Sequence, residues 1–211
     1  MAVTSYLTIA GDGAAEITRS GSRFRCTLAR VADEEGARAV VDQVRKQHWD
    51  ARHHCSASIV GPNRALEQAH DAGEPHGTAG APMLELLRGR ELTDVVAVVS
   101  RWFGGTLLGT GGLARAYAGA TRAALDEVGV LERVLQDLCE VEVDIAEVGQ
   151  LEHALRARGA RVLGVEYTGE ASLRFAIPPV ARAVAEEIVA ELTSGTGALR
   201  VIGQRWVDSG A

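Results

Sequence analysis

Residues 94–117 read DVVAVVSRWFGGTLLGTGGLARAY, and this stretch decides how the first half of the chain folds. Asp94–Val99 is a β-branched apolar run of strand length. Gly104–Gly112 is a glycine loop, which permits close backbone approach. Leu113–Val128 follows as an alanine-rich helix. The order strand, glycine loop, helix leaves unpaired amides at a helix start, and such amides favour an anion. Arg101 precedes the loop and Arg115 lies in the first turn of the helix, so the pairing suggests a phosphate-binding surface. The stretch is not GxxxxGK[ST], and GTGGLA lacks the third glycine of GxGxxG, so it carries no standard nucleotide fingerprint. The alternative is that the glycines serve only close packing of helix on sheet.

Working outward, Val3–Ile9 and Ser22–Val31 alternate as strands, the second after a Ser20-Gly21 turn. Glu34–Trp49 has helical spacing behind Asp33 as N-cap. His54–Val60 reads as a third strand and Gly61–Gly77 as a long polar connection, a class of loop that is often functional. Ala79–Arg88 is a short helix with Pro82 in its first turn. Past Leu131 the texture changes. Leu135–Ile145, Arg161–Tyr167, Ala171–Ile177 and Leu199–Val207 read as strands. Glu147–Arg158 and the stretch from Pro178-Pro179 to about Leu192 read as helices, with Thr168-Gly169-Glu170 as a hairpin turn. That order is βαββαβ, the ferredoxin-like plan. The expected division is therefore 1–131 and 132–211, in an α+β chain.

The chain has 211 residues and a formal net charge of −6. Residues 1–131 carry 14 basic and 15 acidic side chains, a net of −1, whereas residues 132–211 carry 8 and 13, a net of −5. Bulk electrostatic coating of nucleic acid is excluded, but a local anion site on the first part is not. Three scattered cysteines, Cys26, Cys55 and Cys139, exclude a disulfide scaffold or a CxxC-type metal site. The start MAVTSYLTIAGDGAAE shows no signal peptide, and no apolar run is long enough to span a membrane. A cytoplasmic setting is expected.

Two further clusters bear on chemistry. Glu74, His76 and Thr78 lie close together in DAGEPHGTAGAPML, residues 71–84. Glu and His can do acid–base work; the competing reading has Thr78 cap the helix at Ala79 while Pro75 stiffens the approach. His53-His54-Cys55 sits on a strand, where neighbours point to opposite faces, so only His53 and Cys55 share one. A zinc site there needs a third ligand from His70 or His76. The competing reading is a half-buried strand with a core thiol. No metal and no cofactor are expected.

DARHHC (50–55), GEPHGTAGAPML (73–84) and RWFGGTLLGTGGLARAY (101–117) together resemble the IMPACT family, in its bacterial YigZ-like branch. The resemblance covers essentially the whole chain. It implies an N-terminal two-layer α/β domain of the superfold seen in a small-subunit ribosomal protein and elongation factor G, with a C-terminal ferredoxin-like domain similar to the last domain of that factor. Eukaryotic members regulate translation by interfering with activation of a stress kinase, and they associate with ribosomes; the kinase interaction also uses an additional N-terminal domain, so that regulatory role is not carried over. For bacterial members the family suggests nucleic-acid or ribosome binding. Carried over by position, the binding surface comprises Glu74, Gly77, Thr78 and Gly80 with Arg101, Gly104, Gly105, Gly109, Gly111, Gly112, Arg115 and Tyr117; Arg122 joins them as a further cation on the same helix. The chain departs from the family pattern at Ala72, where a second acid is usual, at Ala81, where a base is usual, and at Trp102, where Tyr or Phe is commoner.

Three functions are weighed. The first is a translation-associated module that binds RNA or the ribosome at the glycine-loop and arginine site. The second is an enzyme acting on a phosphorylated or acidic small molecule, with Glu74 or His76 as acid–base group. The third is a protein-interaction module that uses the ferredoxin-like sheet. The first is expected, and catalysis is not.

Overall fold

The structure, a computed structural model, describes residues 3–167, 169 and 171–209. The chain divides into two units, one ending at Glu132 and the other beginning at Arg133.

The N-terminal unit runs β1 (Ser5–Ile9), β2 (Gly13–Arg19), β3 (Ser22–Arg30), α1 (Glu34–Gln47), β4 (His53–Val60), β5 (Leu66–His70), α2 (Gly80–Gly89), β6 (Val95–Trp102) and α3 (Gly109–Val128). A sheet of order β2-β3-β6-β4-β5 carries it, and every pairing is antiparallel. β6 is the middle strand. Its Val95, Ala97 and Val99 enter the core shared with α2 and α3, while Val96 and Val98 pack with α1 on the other face. Burial on both faces explains why this segment is a continuous apolar run rather than an alternating one. The two-layer expectation describes the sheet with α2 and α3; α1 adds a partial layer on the opposite face.

Two strands correct the sequence reading. β2 is additional, and β5 lies inside the stretch read as a polar connection from Gly61 to Gly77. Both are edge strands, half-exposed and therefore polar in sequence. The β2–β3 hairpin pairs Arg19 with Ser22 around Ser20 (φ 48°) and Gly21 (φ 78°), the two left-handed residues of a type I′ turn. Asp33 caps α1, its carboxylate accepting the Gly36 N–H at 2.7 Å. Helix α3 begins at Gly109 rather than Leu113, so three glycines read as loop form its first turn.

The C-terminal unit begins within β7 (Val130–Val143), and α4 (Val148–Ala157), β8 (Arg161–Tyr167), β9 (Ala171–Ile177), α5 (Arg182–Leu192) and β10 (Arg200–Asp208) follow in order. The strand order is β10-β7-β9-β8, antiparallel throughout, which is the split βαβ plan with its parallel pair separated by β9. Of the hairpin turn 168–170, Thr168 and Glu170 lie outside the described residues. One sheet face buries Val141, Leu173 and Phe175 under α4 and α5. The other carries an ion-pair ladder in which Arg174 bonds Glu140 and Glu166, and Arg200 bonds Glu140 and Glu142. That ladder spends its own charge internally.

Candidate functional site

The two glycine motifs meet at the end of the N-terminal sheet, and between them they build two helix starts with opposite treatment. At α2 the orphan amides are filled from within. The Asp71 carboxylate accepts the N–H of Gly77 at 2.7 Å, of Gly80 at 2.9 Å and of Ala79 at 3.0 Å. Partial burial pushes the Asp71 pKa up, but these three amides with His76 outweigh it and hold the carboxyl below its ordinary range. Thr78 does not cap the helix, contrary to the sequence reading: its hydroxyl donates to the Pro75 carbonyl at 2.6 Å and the side chain is buried. Asp71 is the functional residue that sequence reasoning missed. Its reach of eight and nine residues forward to Ala79 and Gly80 lies outside any ordinary capping pattern.

At α3 the start is open. No side chain caps it and its first turn holds no acidic residue. Gly105 (φ 88°) and Gly109 (φ 68°) take left-handed conformations, and a Cβ on either would meet nothing. Arg115 lies on the solvent side one turn up, its Nη1 only 3.6 Å from where a Gly111 Cβ would stand. The arrangement is a set of exposed amides at a helix start with a guanidinium folded over them. Phe103 and Leu107 flank it in the loop, both exposed.

Beneath the two starts lies a buried polar network. Glu74, with 4% of its side chain exposed, accepts hydrogen bonds from Arg101 Nη1 at 2.6 Å and from the Tyr117 hydroxyl at 2.7 Å. His53 Nε2 lies 3.9 Å from the same carboxylate, while its Nδ1 bonds the Ala72 carbonyl at 3.0 Å. Cys55 donates to the Asp71 carbonyl at 2.9 Å, and burial pushes its thiol up to about 12. Tyr117 is driven well above the ordinary phenol range by burial first, then by Cys55 and Glu74. The Arg101 guanidinium sits over Phe24 and Phe103 at 5.4 and 5.7 Å.

These contacts correct the sequence-derived surface. Glu74, Arg101 and Tyr117 were expected on the anion-binding face; instead they satisfy one another below it, because an isolated charge at that depth would be unaffordable. Gly77 is also withdrawn, its amide being held by Asp71. Gly80 and Gly104 are packing glycines. A Cβ on Gly80 would lie 2.6 Å from the His70 nitrogen, and one on Gly104 1.9 Å from the Gly21 carbonyl carbon. Arg122 is thirteen residues beyond Gly109 on α3, about 20 Å along the axis, so it does not flank the glycine loop. What stays together at the open start is Gly105, Gly109, Gly111, Gly112 and Arg115.

His76 is fully exposed, 3.7 Å from Asp71, and stands apart from the buried Glu74, so the pair weighed for acid–base work is not assembled. His54 points to the other sheet face, toward Ser100 Oγ at 3.0 Å, and burial together with nearby Arg45 holds its pKa below the usual value. Among the described residues no group of three His, Cys, Asp or Glu side chains is placed to hold a metal ion. Among them, too, no helix is long and apolar enough to cross a membrane.

Fold and site together define a two-domain α+β protein whose first unit presents a glycine-rich, uncapped helix start over a buried Glu–Arg–Tyr network. The Impact N-terminal domain family model matches residues 20–125, and a domain of unknown function (DUF1949) matches residues 141–196. The IMPACT family member YvyE of Bacillus subtilis is 39% identical over 191 residues, covering 90% of this chain and 88% of the relative. The IMPACT family member YigZ of Escherichia coli is 35% identical over 177 residues, covering 83% and 87%. A solved structure described as a hypothetical protein superposes with a TM-score of 0.66 at 33% identity, covering 95% of this chain and 98% of that one. The chain belongs to the IMPACT family.

Proposed function

We propose that this chain is a translation-associated binding protein that takes the phosphate backbone of RNA, on the ribosome or free, at the start of α3. One observation carries the reading: of the two helix starts built by the family motifs, α2 is closed by Asp71 and α3 is left open under Arg115. An internal carboxylate at α2 does there what an external phosphate would do at α3. The near-neutral charge of the first 131 residues supports a local site, and predicts modest affinity that falls with salt.

Ribosome co-sedimentation across a salt series tests this. Arg115→Ala is expected to weaken binding and to reduce the salt slope by about one, the signature of one lost phosphate contact. Unchanged binding and slope in a folded Arg115→Ala protein would overturn the reading.

A further inference from the structure

The face of the N-terminal sheet that carries α1 is only half covered. Its apolar cluster, with Ala29, Val96 and Val98, lies at one end of the strands. Toward the other end the same face turns polar. Antiparallel register sets Glu16, Arg25, Ser100 and His54 in one row across β2, β3, β6 and β4, and Thr18, Arg23 and Trp102 in the next. Side chains two apart on a strand share a face, so these rows are neighbours.

The chemistry of this half-face is specific. The Arg23 guanidinium lies 4.3 Å over the Trp102 ring, Trp102 Nε1 donates to Asp50 at 2.8 Å, and His48 meets the Trp102 ring edge-on at 5.4 Å. Next to His48, Trp49 is 82% exposed. A groove of about 440 Å³ runs between α1 and the β2–β3 hairpin, lined among others by Arg25, Thr27, Gln43, Gln47 and His48. His48 Nε2 is buried there with no hydrogen-bond partner among the described residues. Arg23 and Arg45 are balanced by Glu16 and Asp42, but Arg25 and Arg52 have no ion pair among the described residues.

A partner for this surface must bring negative charge for the unpaired cations, a flat ring for Trp49, and ring-edge donors and acceptors for the side-chain amides of Gln43 and Gln47. We infer that the polar half of this sheet face, with Trp49, binds an unpaired stretch of RNA. Duplex RNA does not meet these requirements, because its base faces are already stacked and its edges lie in grooves. An unpaired strand offers each base face to an aromatic ring while its phosphates track the cations. The β2–β3 turn touches the loop that follows β6, where Gly104 N–H donates to Ser22 Oγ at 3.1 Å, five residues before α3 begins. The inference rests on the RNA reading above and adds a second surface, which selects unpaired RNA where the phosphate site does not.

Fluorescence anisotropy on the full chain separates the two. The probes are a labelled single-stranded oligoribonucleotide, the same strand in a duplex, and a labelled oligoglutamate. Trp49→Ala combined with Arg25→Ala is expected to lower single-strand affinity tenfold or more while duplex affinity holds, and Trp49→Phe to retain most of the binding. Arg115→Ala is expected to weaken both RNAs, because that contact is to phosphate alone. Single-strand affinity unchanged in the double variant, equal losses for strand and duplex, or oligoglutamate bound as tightly as RNA would each overturn the platform. The Arg115→Ala result judges the phosphate site separately, so either can fail without the other. Trp49 is exposed, and the variant fold is checked by circular dichroism.

Discussion

Glu74 and Arg101, 27 residues apart in sequence, form an ion pair at 2.6 Å with 4% and 7% of their side chains exposed. Burial makes the pair matter through what happens when half of it is removed. Glu74→Gln keeps the size and leaves a guanidinium without its countercharge, and is expected to cost about 3 kcal/mol in urea unfolding. Arg101→Met with Glu74→Gln is expected to be less damaging than the two single losses added, since neither charge is then stranded. Neither effect should appear in RNA affinity per folded molecule. Arg101→Ala that unfolds like the parent but loses RNA would reverse the assignment of this residue from support to contact.

Asp71 gives the α2 start a pH dependence. Its folded pKa lies below the ordinary value, so its contribution is present above the unfolded pKa, about 3.9, and is lost as pH falls through the folded value. Asp71→Asn is expected to lower stability at neutral pH by about 1–2 kcal/mol, the scale of a lost cap. The difference from the parent should shrink on acidification. A constant difference between neutral pH and pH 2 would mean that the charge of Asp71 is not what holds those amides.

The same two residues explain what was legible in the sequence. The unit around β6 and α3 was readable because a strand buried on both faces must be an unbroken apolar run. β2 and β5 were not, because edge strands bury little and lose the alternating signal. Helix spacing and turn chemistry placed α1 and the C-terminal plan. The site was half legible: glycines and arginines announced an anion surface, but nothing in one dimension distinguishes Arg115 in solvent from Arg101 beneath it. That difference arises only when Glu74 and Tyr117, 43 residues apart, close on the same point. Asp71 was hidden for a related reason, since a cap that reaches forward through a turn has no fixed spacing.

The thiols test the depth of both cores, Cys26 and Cys55 in the first unit and Cys139 in the second. Burial raises Cys26 and Cys55 to about 12 and Cys139 to about 11. At pH 8 a thiol-specific disulfide reagent is expected to react with none of them in the native chain and with all three after denaturation. Because the folded pKa values are raised, stability should be full below the unfolded thiol value, about 8.5, and decline above it as the unfolded chain gains thiolates. Rapid native labelling at Cys55 would show that the network under the glycine motifs opens.

Gly111 offers a prediction in which stability and binding move in opposite directions. It lies in the first turn of α3, its backbone is helical, and a side chain there would make only an ordinary contact with Arg115. Gly111→Asp removes a glycine from a helix and adds a negative charge at its positive end, each worth some tenths of a kcal/mol or more, so the protein should gain about 0.5–1 kcal/mol. The new carboxylate would also occupy the amides and neutralise Arg115, as Asp71 does at α2. RNA affinity should therefore fall by about tenfold or more, with a shallower salt slope. Gly111→Ala separates the effects: it should share part of the stability gain and leave binding intact. A Gly111→Asp protein that is more stable and binds RNA as before would show that the open start of α3 is not where the phosphate sits.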